Sequence, residues 1–487
     1  MSQPTAPAGI RLGVVRGISY GMFGAPDSFV PETRELGAGL VRVFLYWGQV
    51  EPEPGRYDWS VVDAVLGQLD PAAELWVTVC SSSPWATRQP TGFLPSSPAL
   101  DPAGYERFVG DLVARCRGRV DHWQCGNEPS NTGLLWAGTA AEYVGQLTAF
   151  HRAVRAADPA ASVVLGGCGY DVLSGPADGE ARRFFDHVVE HGRDAFDLFD
   201  VHLYGDPHAI PDQIAQVRAM MRRHGYERPV VAGEYNGPTL FEFPRAQAEL
   251  ERAMTAAFTG AAEPGEAPDR ATMRLLYERS PELPPELRMF MEDCPPELAA
   301  RRDRINSRQI VTRTVLALAC GVTRTACWNL APEIPGHRDR LNLMGFLFGR
   351  LALLDYEGTA LTRRRPAAHA FALLAAYLDG VTAVRRLATE DRSGLYAFEV
   401  SREGRGALQI LWRSGDPFTG EDAPGTLVDL PWPHAGAHAV DAFGAAVPLR
   451  RADGTVGVPL SVTPVFLSTE PPGGVTGRPT AAQAPAA

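Results

Sequence analysis

The sequence predicts an α/β fold, a (β/α)8 TIM barrel with a helical insertion after its seventh strand and a C-terminal antiparallel β-sandwich. Three observations support this prediction. Eight short runs of β-branched and aromatic residues alternate with longer segments of helical spacing. Most of these runs are apolar throughout, which is typical of parallel strands that are covered on both faces. After residue 380 the pattern changes to short alternating segments separated by turn residues, which is typical of an antiparallel sandwich.

The predicted barrel strands lie at 17–21, 40–47, 74–80, 121–127, 162–168, 196–204, 228–234 and 323–329. Segments with apolar residues three and four apart follow most of them, as at 102–118 and 140–159. We therefore predict a catalytic barrel over 17–380, preceded by an N-terminal segment at 1–16. The predicted sandwich covers 381–470, and the low-complexity tail at 471–487 is expected to be disordered.

The loop after the seventh predicted strand is unusually long. Between 239 and 304 it contains helix-like pieces around a stretch rich in Pro, Gly and Glu at 261–269. An excursion that starts at the end of a barrel strand is expected to lie over the mouth of the barrel, the C-terminal end of its strands. Two interpretations stand: a lid or subsite wall, or a solvated helical elaboration.

The charge balance argues against two classes of partner. The chain has 46 Lys and Arg against 57 Asp and Glu, a net charge of −11, and contains no long basic run. Nucleic acid and anionic membranes both attract clustered Lys and Arg, so neither is the expected partner.

Compartment and cofactor are predicted from features that the sequence does not contain. The N-terminus lacks the pattern of a secretion signal, and no stretch reaches the length of a membrane span. The seven cysteines are scattered without CxxC spacing, and four of them fall in strand-like runs, where Cys is usually a small buried residue. We expect a cytoplasmic protein with reduced thiols and no metal site or disulfide framework.

Two of the predicted strands lead into glutamates. The segment HWQCGNEPS (122–130) contains Glu128, and RPVVAGEYN (228–236) contains Glu234. Side chains at these strand ends point into the mouth, where strands four and seven face each other. A pair of carboxylates ~5–5.5 Å apart is what double displacement at an anomeric carbon needs, one as proton donor and one as nucleophile. Either glutamate alone would more often be a surface or ion-paired carboxylate, but the two positions together favour catalysis.

These segments resemble those of the clan-A retaining glycoside hydrolases, the 4/7 superfamily of (β/α)8 barrels. The resemblance spans about 17–380, and an appended sandwich is also familiar from that group. The family's Asn-Glu-Pro after strand four matches Asn127 and Glu128, and its strand-seven glutamate matches Glu234. This resemblance implies that Glu128 is the acid/base, that Asn127 binds the sugar 2-hydroxyl and that Glu234 is the nucleophile.

Further positions are similar to the family pattern. His202 and Tyr204 match its His-x-Tyr on strand six, which implies that Tyr204 donates to the nucleophile and that His202 lines the sugar subsite. Arg42 resembles the buried arginine near the nucleophile, and a cation and a phenol beside a carboxylate keep it ionised. Trp328, which ends strand eight, matches the aromatic platform under the sugar. Trp85, in a Pro-Trp-Ala loop, is a candidate subsite wall.

Each of these residues has a structural alternative. Arg42 could belong to an ion pair that only supports the fold, and His202 could be a hydrogen-bonded core histidine. Trp328 and Trp85 could be packed aromatics at the barrel rim. In the sandwich, Trp412 and another tryptophan, at position 432, could bind sugar, although the structural interpretation is favoured.

The predicted function is a retaining glycoside hydrolase that needs no cofactor. The stretch WGQVEPEPGRYDW (47–59) and the setting of Glu234 favour the xylosidase/iduronidase-like branch over cellulase-like enzymes. Without a secretion signal, we expect small glycosides or oligosaccharides as substrates. The insertion after strand seven would narrow the mouth into a pocket, which favours exo action. A transglycosidase with the same residues and a non-catalytic carbohydrate-binding barrel remain as alternatives, and the oligomeric state is unknown.

Overall fold

Eight parallel strands form the central sheet in a computed structural model of the protein. The structure describes residues 9–18, 20–22, 30–263, 265–331, 339–357, 360–388 and 393–471. The eight strands are β1 (Arg11–Val15), β2 (Leu40–Tyr46), β3 (Glu74–Cys80), β4 (His122–Cys125), β5 (Ser162–Val164), β6 (Phe199–Leu203), β7 (Val230–Tyr235) and β8 (Arg324–Cys327).

The sheet closes into a barrel. Its strands neighbour one another in the order β5-β4-β3-β2-β1-β8-β7-β6. Parallel bridges from Val164 to Leu198 and from Cys168 to Val201 then join β5 to the β6 segment. The predicted α/β barrel is confirmed, and so the C-terminal ends of all eight strands share one mouth.

The prediction for the first strand was wrong. The sequence interpretation assigned it to 17–21, but β1 is Arg11–Val15, which pairs with β2 on one side and β8 on the other. Gly13 accounts for the close fit on the β2 side, since a Cβ there would lie 2.5 Å from Leu40. The barrel therefore includes residues that the prediction left in the N-terminal segment.

Helices follow most of the strands. They are α1 (Val30–Glu35), α2 (Trp47–Val50), α3 (Ser60–Gln68), α4 (Pro102–Arg115), α5 (Ala140–Ala157), α6 (Tyr170–Ser174), α7 (Glu180–His191), α8 (Ile210–Arg223), α9 (Pro244–Ala256), α10 (Pro268–Glu278), α11 (Pro285–Arg288), α12 (Pro296–Ala319), α13 (Leu343–Phe348) and α14 (Pro366–Tyr377). Within the described ranges, no helix is long and apolar enough to cross a membrane.

Local sequence explains where two of the long helices begin. The side chain of Asp101 accepts a hydrogen bond from the backbone of Ala103, and proline fills the first position of α4. Thr139 and Glu142 form a reciprocal capping box at the start of α5. Both helices pack on the outside of the barrel next to β4, which leads into the Glu128 loop.

An ion cluster lies at the N-terminal end of the barrel, opposite the mouth. Glu74 opens β3 and contacts Arg324 at 2.8 Å and His122 at 3.1 Å, and these residues open β8 and β4. Burial alone would raise the pKa of Glu74, but His122 and Arg324 outweigh it and lower this pKa to about 2. The cluster ties together strands that are distant in sequence.

The insertion after β7 has a hydrophobic core of its own. It contains α9, α10, α11 and the start of α12, and its buried residues include Phe243, Met273 and Phe290. Phe346 of α13 and Phe418 from the sandwich region join the same core. At its beginning, Phe241 stacks on Tyr170 with ring centroids 4.8 Å apart. The insertion is thus a packed unit that touches the loop after β5, and its role as a lid stays a prediction.

After α13 the chain is largely β-structure. Strands β9 (Leu354–Glu357) and β10 (Ala360–Arg364) form a hairpin before α14. The remaining strands are β11 (Val381–Arg386), β12 (Leu395–Arg402), β13 (Leu408–Arg413), β14 (Thr426–Pro431), β15 (His438–Asp441), β16 (Arg450–Ala452), β17 (Thr455–Leu460) and β18 (Val465–Ser468).

These last eight strands confirm the predicted antiparallel sandwich. They form a five-stranded sheet, β11-β12-β13-β18-β15, and a three-stranded sheet, β14-β17-β16. Trp412 is buried between Tyr396 and Phe398, and Trp432 is buried with its indole nitrogen donating to Gly436. The packing of both tryptophans favours the structural interpretation. The expected domain boundaries stay predictions, and the expected tail beyond residue 471 lies outside the described residues.

Candidate active site

Arg42 lies at the centre of the polar cluster inside the barrel mouth. It is fully buried on β2, with its guanidinium 4.7 Å from the ring centre of Phe44 and 5.2 Å from that of Trp76. Its donors reach Oε1 of Glu234 at 3.0 Å and Oδ1 of Asn127 at 2.7 Å. One arginine thereby connects the ends of β4 and β7.

Glu234 is buried near the end of β7, and each of its two oxygens has a donor. Arg42 holds Oε1, and the hydroxyl of Tyr204 donates to Oε2 at 3.0 Å. Burial raises the pKa of Glu234, while the charges of His202 and Arg42 act in the opposite direction. Burial also raises the pKa of Tyr204 well above its ordinary value, so Tyr204 is a neutral donor. These contacts favour the carboxylate form of Glu234 and fix its orientation.

Glu128 occupies the loop after β4 in a backbone conformation that is uncommon for a side-chain-bearing residue. Its φ is 39°, in the left-handed region, where such residues are usually found only if their surroundings hold them. Its Oε1 lies 2.6 Å from Nδ1 of His202. Gly169 makes this approach possible, because a Cβ there would come within 3.0 Å of the Glu128 carboxyl carbon.

The two glutamates face each other across the mouth. One oxygen of Glu128, one oxygen of Glu234 and one ring nitrogen of His202 all lie within 4.8 Å of one another. In inverting glycosidases the carboxyl groups are ~6.5–9.5 Å apart, which leaves room for a water between them. Glu128 and Glu234 are closer together than that, which suits direct attack by one carboxylate.

His202 is completely buried between carboxylates. Its Nδ1 faces Glu128 at 2.6 Å and Glu234 at 3.5 Å, and its Nε2 faces Asp200 at 3.2 Å. Burial alone would lower the pKa of His202, but Glu234, Asp200 and Glu128 together outweigh burial and raise it to about 10. The three carboxyl groups therefore favour the charged form of the ring.

A metal ion is the other species that such a cluster could hold. The same atoms of Glu128, Glu234 and His202 are close enough together to be considered as ligands. However, two ligands of a tetrahedral zinc are ~3.4 Å apart, since each lies ~2.1 Å from the metal. The 2.6 Å contact between His202 and Glu128 is a hydrogen-bond distance instead. The arrangement suits a hydrogen-bonded network, and the absence of a cofactor stays a prediction.

Six of the eight residues predicted from the sequence are thus linked by hydrogen bonds or ion pairs. They are Arg42, Asn127, Glu128, His202, Tyr204 and Glu234. Their proximity is a structural finding, whereas their catalytic and binding roles remain proposals.

The other two predicted residues, Trp328 and Trp85, differ in their position relative to these six. Trp328 follows β8 and packs edge-on against Phe44, with ring centroids 6.5 Å apart, which places it beside the cluster. Trp85 packs against Trp47, and its indole nitrogen donates to the backbone of Glu51. Within the described ranges, Trp85 has no hydrogen bond or ring contact with the six linked residues, so its role as a subsite wall stays a prediction.

The sequence interpretation missed several polar residues of the site. Thr78 and Gln124 bind Arg42 from β3 and β4, Asp200 binds His202, and Asp171 lies close to Glu128 beside Gly169. Burial and the charge of Glu128 raise the pKa of Asp171. A usable signal was present for the first three, because each is a polar residue within an otherwise apolar strand run.

One described cavity lies away from the two glutamates. It has a volume of about 390 Å³ and is situated between α12 and the sandwich, with His208, Arg308 and Trp412 among its lining residues. Neither Glu128 nor Glu234 lines it. The carboxylate pair therefore defines the candidate active site.

Comparison with known proteins gives the class of fold. No protein-family model and no curated protein sequence matches the chain. Among solved structures, a family 39 glycoside hydrolase from the gut symbiont Bacteroides cellulosilyticus WH2 has a TM-score of 0.60 at 14% identity, covering 95% of this chain and 81% of that chain. A glucosidase from Croceicoccus marinus has a TM-score of 0.56 at 17% identity, covering 96% and 97%.

A monomeric β-xylosidase from Caulobacter crescentus CB15 also matches, with a TM-score of 0.52 at 15% identity and coverage of 96% and 97%. All three similarities extend over nearly the whole chain, so they include both the barrel and the sandwich. The fold expected from the clan-A resemblance is therefore confirmed. At these identities the likeness concerns the fold, and the chemistry has to be argued from the site.

Proposed function

We propose that the protein is a retaining glycoside hydrolase in which Glu234 is the nucleophile and Glu128 the acid/base. The observation that carries the proposal is the separation of the two carboxylates, with one oxygen of each lying within 4.8 Å of the other. This separation favours double displacement over single displacement through an intervening water. The strand positions of the two glutamates and the fold shared with solved glycoside hydrolases agree with it.

In the first step, an oxygen of Glu234 bonds to the anomeric carbon as the bond from that carbon to the leaving oxygen breaks. Arg42 and Tyr204 keep the attacking carboxylate ionised and oriented. Glu128 transfers its proton to the leaving oxygen, so no free alkoxide forms. In the second step Glu128, now a carboxylate, takes a proton from water as the water oxygen bonds to the anomeric carbon and releases Glu234.

Asn127 and Trp328 supply substrate contacts in this scheme. Oδ1 of Asn127 already accepts from Arg42. In the part of the chain that the structure describes, the amide nitrogen of Asn127 has no protein partner, so it is the group left to donate to a sugar hydroxyl. The ring of Trp328 would lie under the apolar face of the sugar. Because the neighbours' names include a glucosidase and a β-xylosidase, glucosides and xylosides are the first substrates to test.

Trapping the intermediate tests the proposal. The protein is incubated with activated 2-deoxy-2-fluoro glycosides, which slow both steps, and is then analysed by intact-mass and peptide mass spectrometry. We expect an increase equal to one fluoroglycosyl group on the peptide that contains Glu234, and no adduct with Glu234→Gln. Glu53→Gln, a change at an exposed residue, is the matched control and should label like the wild type.

Two results would contradict the proposal. An adduct on another residue would assign the nucleophile elsewhere. A folded protein that neither forms an adduct nor turns over any parent glycoside in the panel would instead favour the non-catalytic carbohydrate-binding barrel.

A further inference from the structure

One buried carboxylate in the site has no part in the scheme above. Asp200 lies on β6 two residues before His202, so both side chains point to the same face of the strand, the barrel interior. Asp200 is fully buried. Its Oδ2 lies 3.2 Å from Nε2 of His202, below the ring as seen from the mouth. A buried carboxylate at this depth is costly unless all its neighbours are donors.

The other groups that contact Asp200 are hydrogen-bond donors. The backbone N–H of Gly233 donates to Oδ1 at 2.5 Å, and Nε2 of Gln124 donates to Oδ2 at 2.7 Å. The amide of Gln124 cannot be reversed. Its Oε1 accepts from Arg42 at 2.7 Å and from Thr78 at 2.7 Å, which fixes the NH2 group towards Asp200.

The hydrogen bonds around His202 assign both of its ring protons. Both oxygens of Asp200 already accept hydrogen bonds from Gly233 and Gln124, so the contact of Asp200 with His202 is assigned a proton on Nε2. Nδ1 faces the Glu234 carboxylate at 3.5 Å and Oε1 of Glu128 at 2.6 Å, so it is assigned a proton too. A ring with both protons is an imidazolium. Gly167 leaves room for the ring at this position, because a Cβ there would lie 2.1 Å from Nε2.

The surroundings on every side agree with a charged ring. Carboxyl groups face it from the loop after β4, from β6 itself and from β7, while Arg42 on β2 adds a cation beside Glu234. Burial keeps Tyr204 and Cys168 neutral by raising the pKa of each well above its ordinary value.

We propose that Asp200 is a positioning residue that holds His202 as an imidazolium, whose Nδ1 proton is donated to Oε1 of Glu128. The acid's own proton then lies on Oε2, the oxygen that has no protein partner among the described residues and can reach the leaving group. When the glycosidic bond breaks, the Oε2–H proton passes to the leaving oxygen, and the resulting carboxylate is paired with the imidazolium. Water returns a proton to Oε2 in the second step, and His202 keeps both protons throughout.

This inference rests on the proposed role of Glu128, but its first test needs no substrate. The full-length protein is labelled with [15N]histidine, and the ring nitrogens are observed by two-bond 1H–15N correlation at about pH 8, above the ordinary histidine pKa of ~6.5. His202→Gln assigns the signal. In the wild type we expect both nitrogens of His202 to be protonated, and in Asp200→Asn we expect a neutral ring.

Asp197→Asn is the matched control. Asp197 also precedes His202 in the β6 segment and is also a largely buried carboxylate, but it binds Arg155 and the backbone of Val163. It should leave the His202 ring charged. A neutral ring in the wild type, or a ring that stays charged in Asp200→Asn, would overturn the inference. If Asp200→Asn folds poorly, the protonation of His202 in the wild type still tests the inference.

A second readout separates positioning from simple structural support. The imidazolium favours the ionised form of Glu234, so its loss should raise the pKa of this nucleophile. In Asp200→Asn, the acidic limb of the pH profile of kcat/KM should therefore move up by about one pH unit. An unshifted acidic limb with a lower maximum would reduce Asp200 to structural support. The two experiments can give different results. If the 2-fluoro glycosides form no adduct but NMR shows a charged His202 that becomes neutral in Asp200→Asn, the proposed function is contradicted. The inference about the charge on His202 is then still supported.

Discussion

Arg42 organises the site at the scale of single residues. It is a fully buried cation, and its acceptors come from β3, β4 and β7, with the backbone oxygen of Gly233 at 2.9 Å among them. A buried charge is tolerated when partners of this kind surround it. The planar guanidinium of Arg42 has several N–H donors in fixed directions, so it also aligns Glu234 and Asn127 relative to each other. The ammonium group of a lysine could not do this.

Glu128→Gln tests the acid/base assignment. The glutamine keeps the size of the side chain but has no proton to give, so glycosides with poor leaving groups should lose about 10²–10⁴-fold in kcat/KM. Activated aryl glycosides, whose leaving groups need no proton, should form the intermediate nearly as fast as the wild type does. Burst kinetics on a series of leaving groups measures the difference.

The control for this change is Glu53→Gln, which alters an exposed glutamate paired with Arg56 and should leave all the rates unchanged. An equal loss for every leaving group in Glu128→Gln would contradict a role in proton donation.

At the scale of elements, the ion cluster of Glu74, His122 and Arg324 holds three strands together at the end of the barrel opposite the mouth. Glu74→Gln should lower the free energy of unfolding by about 3 kcal/mol at neutral pH, because it leaves Arg324 without its buried anion. Chemical denaturation measures this loss.

The pH dependence follows from the lowered pKa of Glu74. The pKa in the folded state is about 2, below the ordinary value of ~4.3, so the stabilisation is complete above pH ~4.3. It is lost as the pH falls towards 2, and the wild type and Glu74→Gln should converge there. The exposed pair of Glu53 and Arg56 is the comparison, and Glu53→Gln should change stability by at most about 0.5 kcal/mol. A pH-independent difference for Glu74→Gln would contradict the ionic explanation.

Helix α12 connects another element to the site. Its buried Arg313 donates to the backbone oxygens of Leu203 and Gly205, which flank Tyr204, and also binds Glu242 at the start of the insertion. The strand end that carries Tyr204 is therefore supported from behind by the helix that follows the insertion.

At the scale of the whole molecule, one loop of the sandwich joins the three parts of the chain. Glu421 binds Arg304 and Arg308 on α12, and Arg301 on the same helix binds Asp422. Phe418 from this loop packs into the core of the insertion. The sandwich therefore fixes the insertion as well as covering the barrel helices.

Phe418→Ala tests this connection. Removal of the buried ring should lower the free energy of unfolding by about 3 kcal/mol, through lost burial and the cavity left behind. Phe258→Ala is the matched control, since Phe258 is 67% exposed on the insertion, and should change stability by about 0.5 kcal/mol or less. Equal effects of the two changes in thermal and urea unfolding would show that the loop does not stabilise the molecule.

Most of the fold could be predicted because barrel strands and sandwich strands have different residue patterns. The first strand was misplaced, since Arg11–Val15 and the run at 17–21 are both short and the choice depends on pairing with β2 and β8. In the sandwich, the alternating segments GLYAFEV, ALQILW, TLVDL, HAVDAF and TVGVPL predicted β12, β13, β14, β15 and β17, but no segment predicted β11, β16 or β18. The residues of β16 are all exposed, and β18 has four residues, so neither carries a strong periodic signal.

The sequence by itself determined the order of the elements and the positions of Glu128 and Glu234 at the ends of strands four and seven. These follow from local hydrophobic patterns and from the rule that strand ends share the mouth of a barrel. The tertiary structure alone decided which polar residues meet. Arg42 and Glu234 are 192 residues apart, and Asp200 and Gln124 are 76 apart. Such contacts depend on how the closed sheet aligns its strands, which no local pattern encodes.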